Sequence, residues 1–105
     1  MMTEKKKNGD CFGDTIRVSS TSNPHMLAAY INTIISEFGR ARLRAVGAAA
    51  TNQAVKALAV CRVDLVTAGA EIVCVPSFSE VAIEGRNRTA ICFDVELRWP
   101  EAAAV

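Results

Sequence analysis

The residues whose chemistry invites attention first are Cys11, Cys61, Cys74, Cys92 and His25, because thiols and imidazoles bind metals and act as nucleophiles or bases. Their spacing argues against both roles. No two cysteines form a C-x-x-C pair, and His25 has no second ligand at zinc-type spacing. The chain also lacks a G-x-S-x-G elbow, a phosphate loop ending in Gly-Lys-Ser/Thr, and a G-x-G-x-x-G turn. The expectation is a non-enzyme with no metal and no cofactor. Cys61 falls in an alanine-rich helical run, and Cys74 and Cys92 fall in apolar strand-like runs, where reduced thiols behave as small buried hydrophobes. The alternative is a disulfide from Cys74 to Cys92 across a hairpin.

A second set of residues can hold anions. Gly47 leads into a helix-forming run, and the first N–H groups of a helix are unpaired and carry partial positive charge. Ser20-Thr-Ser-Asn-Pro24 marks another helix start, where Ser20, Ser22 and Asn23 offer hydroxyl, amide and backbone donors. Arg42 and Lys56 can add positive charge, Asn52 lies just inside the second helix, and a turn carries Arg86, Asn87 and Arg88. Each residue also has an ordinary reading. Ser22 and Asn23 can simply cap a helix, and Asn52 and Lys56 can be solvated. Arg17, Arg42, Arg44 and Arg98 can share a sheet face with Asp94 and Glu96, as cross-strand charge pairs do.

The elements that must position these groups follow from periodicity. Thr15 to Ser20 alternates, with Ile16 and Val18 on one face, as a half-buried strand does. Asn23 and Pro24 open a helix whose stripe is Leu27, Ile31, Ile34, Ile35 and Phe38, stopped by Gly39. Arg42 to Val46 alternates as a second strand. The run from about Ala48 to Ala68 is rich in helix formers, with Ala50, Ala54, Ala57, Leu58, Cys61 and Leu65 on one side. A second side, Val55, Ala59, Val63 and Val66, is apolar as well, which predicts a homodimer or homotetramer. Glu71 to Glu84 and Arg88 to Arg98 read as a long antiparallel hairpin joined through Glu84-Gly85-Arg86-Asn87, with Pro76 marking an edge strand or a bulge.

The predicted fold is α/β in the two-layer α+β sense. Its order is β-α-β-α-β-β, giving a mixed four-stranded sheet with two helices on one face. Residues 15–98 form the domain, 1–14 a mobile arm and 99–105 a tail. With 105 residues, half of them apolar, one hydrophobic core is expected. Twelve Lys and Arg stand against eleven Asp and Glu, so the net charge of +1 gives no overall pull toward nucleic acid or acidic membranes. Any basic site must be local. The triplet Lys5 to Lys7 is read as part of a solvated arm. No apolar signal-peptide core follows it, and no run of about 20 apolar residues occurs, so the expected location is the cytoplasm, without a membrane contact.

The stretch Leu43-Arg-Ala-Val-Gly-Ala-Ala-Ala-Thr-Asn-Gln-Ala-Val-Lys-Ala-Leu-Ala59 resembles the stage V sporulation protein S family, as do Val73-Cys-Val-Pro-Ser-Phe78 and Gly85-Arg-Asn-Arg-Thr-Ala-Ile91. The resemblance covers Thr15 to Arg98. It implies an Alba-like fold, and Alba proteins contact nucleic acid through a strand-Gly-helix segment and hairpin arms. Those two regions, taken with the anion-binding groups at the helix starts, give as candidate site residues Ser20, Ser22, Asn23, Arg42, Gly47, Asn52, Lys56, Arg86, Asn87 and Arg88. One departure matters. The first loop of Alba carries lysines, whereas here it is Ser19-Ser-Thr-Ser-Asn23, so binding to DNA or RNA should be weak and salt-sensitive. The resemblance implies a regulator linked to sporulation or developmental gene control. The alternatives are an oligomeric protein-interaction module and a small-anion sensor.

Overall fold

The computed structural model describes residues 3–5 and 14–100. Its elements in chain order are β1 (Thr3–Lys5), β2 (Asp14–Val18), α1 (Pro24–Phe38), β3 (Arg40–Val46), α2 (Ala48–Val66), β4 (Glu71–Ile83) and β5 (Arg86–Arg98). From β2 onward this is the β-α-β-α-β-β order that the periodicities predict. The sheet runs β1-β2-β3-β5-β4, with β2 and β3 parallel and every other neighbour antiparallel. The expected four strands are thus joined by a fifth: β1, in the segment read as an arm ahead of the domain, pairs with β2. The rest of that arm and the tail beyond Pro100 lie outside the described residues, and Cys11 and Lys6 lie there too.

Both helices cover one face of the sheet. Along β3 the alternation is strict: Ala41, Leu43 and Ala45 are buried beneath the helices, while Arg40, Arg42 and Arg44 are half-buried on the opposite face. Ile16, Val18, Phe93 and Val95 join them from β2 and β5, and Leu27, Ala28, Ile31 and Ile35 close the core from α1. The contribution of α2 is small residues, Ala50, Ala54, Ala57 and Cys61, which let it approach α1 closely; the Cys61 thiol reaches the Ala28 carbonyl at 3.5 Å. Asn32 Nδ2 donates to Asp64 Oδ2 at 3.1 Å across the same helix pair. The stripe read on α1 is one residue too long, since Phe38 in the last turn is exposed.

The β4–β5 hairpin closes on a two-residue turn, Glu84-Gly85, tighter than the four-residue connection expected. Both turn residues have positive φ, 52° and 76°, as a type I′ turn requires. Pro76 sits in the outermost strand, opposite Phe93 and without a bulge, where its missing N–H costs no ladder bond. The register also disposes of the alternative disulfide. Cys74 lies opposite Val95 and Cys92 opposite Ser77, so the two thiols are on different faces, and both are free. Cys92 is buried as expected, but Cys74 is exposed, because nothing covers the edge strand there. No helix among the described residues is long and apolar enough to cross a membrane.

Candidate nucleic-acid interface

The two helix starts lie side by side, and a residue that no sequence pattern singles out holds them there. Gln53 Nε2, in the second turn of α2, donates to the Ser22 carbonyl at 2.8 Å, across from the loop that leads into α1. A glutamine beside a candidate cap carries no periodic signal of its own, so only the fold reveals its partner.

The two starts are not equivalent. At α1 the Asn23 side chain accepts from the backbone N–H groups of His25 at 2.9 Å and Met26 at 3.1 Å, which uses donors that an anion would need. Ser22 Oγ accepts from the Ser19 N–H at 2.9 Å and lies 3.2 Å from Ser19 Oγ, so it knits the loop to itself. Ser22 and Asn23 therefore do what capping residues ordinarily do. Ser20 is exposed at the head of that loop. At α2 the cap position is Gly47, which has no side chain to accept from the first turn and no acidic residue after it. Those N–H groups keep their partial positive charge. Gly47 takes φ 92° and ψ 159°, a conformation that only glycine adopts without strain.

A groove of about 540 Å³ runs from this helix start to the stem of the hairpin. It is lined by Gly47, Ala48, Thr51, Asn52 and Val55 on the α2 side, and by Thr89 and Ile91 on β5. Lys56 is exposed one turn beyond Asn52, on the same side of the helix. At the tip Arg86, Asn87 and Arg88 are all exposed. Alternation along β5 places Asn87 on the face of Thr89 and Ile91, toward the groove. Arg86 and Arg88 lie on the opposite face, directly across from Ile83 and Val81.

Arg42 does not join this set. It lies on the sheet face away from the helices, where Nε meets Asp94 Oδ1 at 2.5 Å and Nη2 meets Oδ2 at 3.1 Å. A half-buried bidentate pair of this kind ties β3 to β5, and Arg98 pairs with Glu71 between β5 and β4. These are the cross-strand pairs that the sheet-face reading anticipates. The alternation of β3 turns Arg42 to the face opposite Leu43 and Ala45, so the fold does not bring it together with Gly47, Asn52 and Lys56.

The family model of stage V sporulation protein S matches residues 14–98, from the first residue of β2 to the last of β5. The chain belongs to the stage V sporulation protein S family. The match begins with β2 and ends with β5, so it leaves out β1 and takes in the groove, both helix starts and the hairpin tip. Membership makes this a small sporulation-related protein.

Proposed function

We propose that the protein is a nucleic-acid-binding regulator, acting on DNA or RNA through the α2 start and the hairpin tip. The observation that carries the reading is the shared groove. The uncapped first turn of α2 forms one wall and the stem of the hairpin that carries Arg86 and Arg88 the other, with Lys56 beside them. Backbone donors, Asn52 and Asn87 can position phosphates and sugars there, while Arg86 and Arg88 at the tip reach outward to a groove. Few charges take part, so affinity is low, and it falls with salt by roughly 0.9 logarithmic units per phosphate contact for each tenfold rise in salt. Binding to DNA and RNA duplexes and single strands across a salt series tests this. Lys56→Ala and Arg86→Ala should each weaken binding about equally for all sequences and reduce the salt slope by about one contact. Wild-type binding by both variants at low salt would remove this surface from consideration.

A second reading, an oligomeric protein-interaction module, has its own observation. Val55, Val63 and Val66 of α2 are exposed, as is Phe78, which stands across from Ile91 on the helix-bearing face of the hairpin. Because α1 packs elsewhere on α2, through Cys61 and Asp64, this side stays open to a second copy of the chain. The two readings are compatible, since a homodimer or homotetramer would present more than one groove.

A further inference from the structure

Phe78 is 80% exposed, more than any other large apolar side chain among the described residues. It stands directly across from Ile91, and Ile91 with Thr89 forms the β5 wall of the groove at the α2 start. Because β4 is the outermost strand, the ring lies on the far bank of that groove, with the Cβ atoms of such a cross-strand pair about 5 Å apart. The core does not need it: Phe93 and Val95 of β5 already close the sheet against the helices.

The surroundings of the ring suit a base better than another protein. Interface cores are depleted of charge around their aromatic anchors, whereas Phe78 has polar neighbours. Glu80 follows it on the same face of β4, where Thr89 Oγ1 donates to Glu80 Oε2 at 3.2 Å. Across the groove stand Asn52 and, one turn further along α2, the exposed Lys56. Between the two banks Val55 and Ile91 leave an apolar floor for a sugar or a second base. An open aromatic face beside a groove with amide and cationic groups is the arrangement that holds single strands, since unpaired bases stack on the ring while the backbone follows the positive charge. In a duplex those base faces already stack on one another. The remaining lone pairs of Glu80 can accept an N–H from the edge of a stacked base, a donor that every base carries.

We infer that the groove takes a single strand, DNA or RNA, with one base stacked on Phe78 and the neighbouring phosphates beside Asn52 and Lys56. The inference rests on the nucleic-acid reading of this groove and adds which form of nucleic acid it selects. Arg86 and Arg88 lie on the other face of the hairpin and take no part in the stack.

Anisotropy titrations at low salt test it, using one short labelled sequence as single-stranded DNA, as single-stranded RNA and as duplex. At least one single strand should bind more tightly than the duplex. Phe78→Leu keeps an exposed apolar side chain but removes the flat face, so single-strand affinity should fall about tenfold while duplex affinity and melting temperature stay unchanged. Phe78→Trp should retain the affinity, and its fluorescence should be quenched by the single strand. The wild type supplies the control, since its one tryptophan, Trp99, lies past the end of β5 away from the hairpin tip. Wild-type single-strand affinity in Phe78→Leu overturns the inference, and the groove reading survives that result if Lys56→Ala still weakens binding. Loss of affinity in Phe78→Leu without quenching in Phe78→Trp also overturns it, and assigns the ring to contact with a second copy of the chain. Absence of binding by every form of nucleic acid at low salt removes the groove reading and this inference with it.

Discussion

Burial pushes the Cys61 thiol up from an ordinary 9.0 to about 11, and the nearby negative charge of Asp64 adds to the effect. The unfolded chain releases this proton near pH 9, whereas the native protein holds it until about pH 11. The stabilisation is therefore complete below pH 9 and is lost progressively as pH rises through 11. At full extent it is at most about 3 kcal/mol, since the roughly hundredfold difference in proton affinity between the folded and unfolded chain corresponds to about 1.4 kcal/mol per factor of ten. Urea unfolding at pH 8 and pH 11 measures it. Cys61→Ala should be less stable at pH 8, by about 1 kcal/mol or more from lost packing, but should lose less stability between the two pH values than the wild type does. An equal loss in both proteins would assign the alkaline sensitivity to other groups.

At the scale of elements, the ends of α2 and β5 that frame the groove depend on unusual backbone. An added Cβ at Gly47 would meet nothing within 4 Å, so side-chain crowding is not what excludes other residues. The cost lies in the positive φ itself. Gly47→Ala is expected to destabilise by about 1–3 kcal/mol and to disturb the start of α2, read as a lower melting temperature with weaker nucleic-acid binding. Glu84 presents the reverse case, a residue with a Cβ held at φ 52° in a turn position that favours asparagine. Glu84→Asn should raise stability in thermal melts by about 1 kcal/mol, the lower end of what such backbone strain costs. It also removes a negative charge next to Arg86 and Arg88, so affinity for polyanions should rise alongside. Increased stability with unchanged or weaker binding would separate the tip from the interface.

For the whole molecule, the apolar side of α2 is the feature that a monomer leaves unexplained. Val63 is 70% exposed and Phe78 80%, on a domain whose core is otherwise closed. Val63→Glu and Phe78→Ser change exposed side chains, so folding should survive while a larger species seen by light scattering shifts toward monomer. A monomeric wild type at high concentration would end the oligomer reading. If oligomer and nucleic-acid binding are lost together, the two proposed surfaces act as one assembly.

Much of this architecture is legible in the chain itself. Strict alternation in Arg42 to Val46, the Asn23-Pro24 start and the Gly39 stop are local signals, set by backbone sterics and by which side chains can face water, and they predict β3 and α1 closely. The extra apolar side of α2 is equally visible, because a 3.6-residue period displays both sides of a helix. Other features are decided only by tertiary packing. Pairing of β1 with β2 depends on a distant backbone edge, which three polar residues do not advertise. The pairing of Arg42 with Asp94, the exposure of Cys74, and the placing of Arg17 beside Arg44 all follow from strand register, a relation between segments far apart in the chain. Periodicity determines which residues share a face of one element. Which faces then meet, and so which charges are neutralised and which line a cleft, is determined only when the sheet assembles.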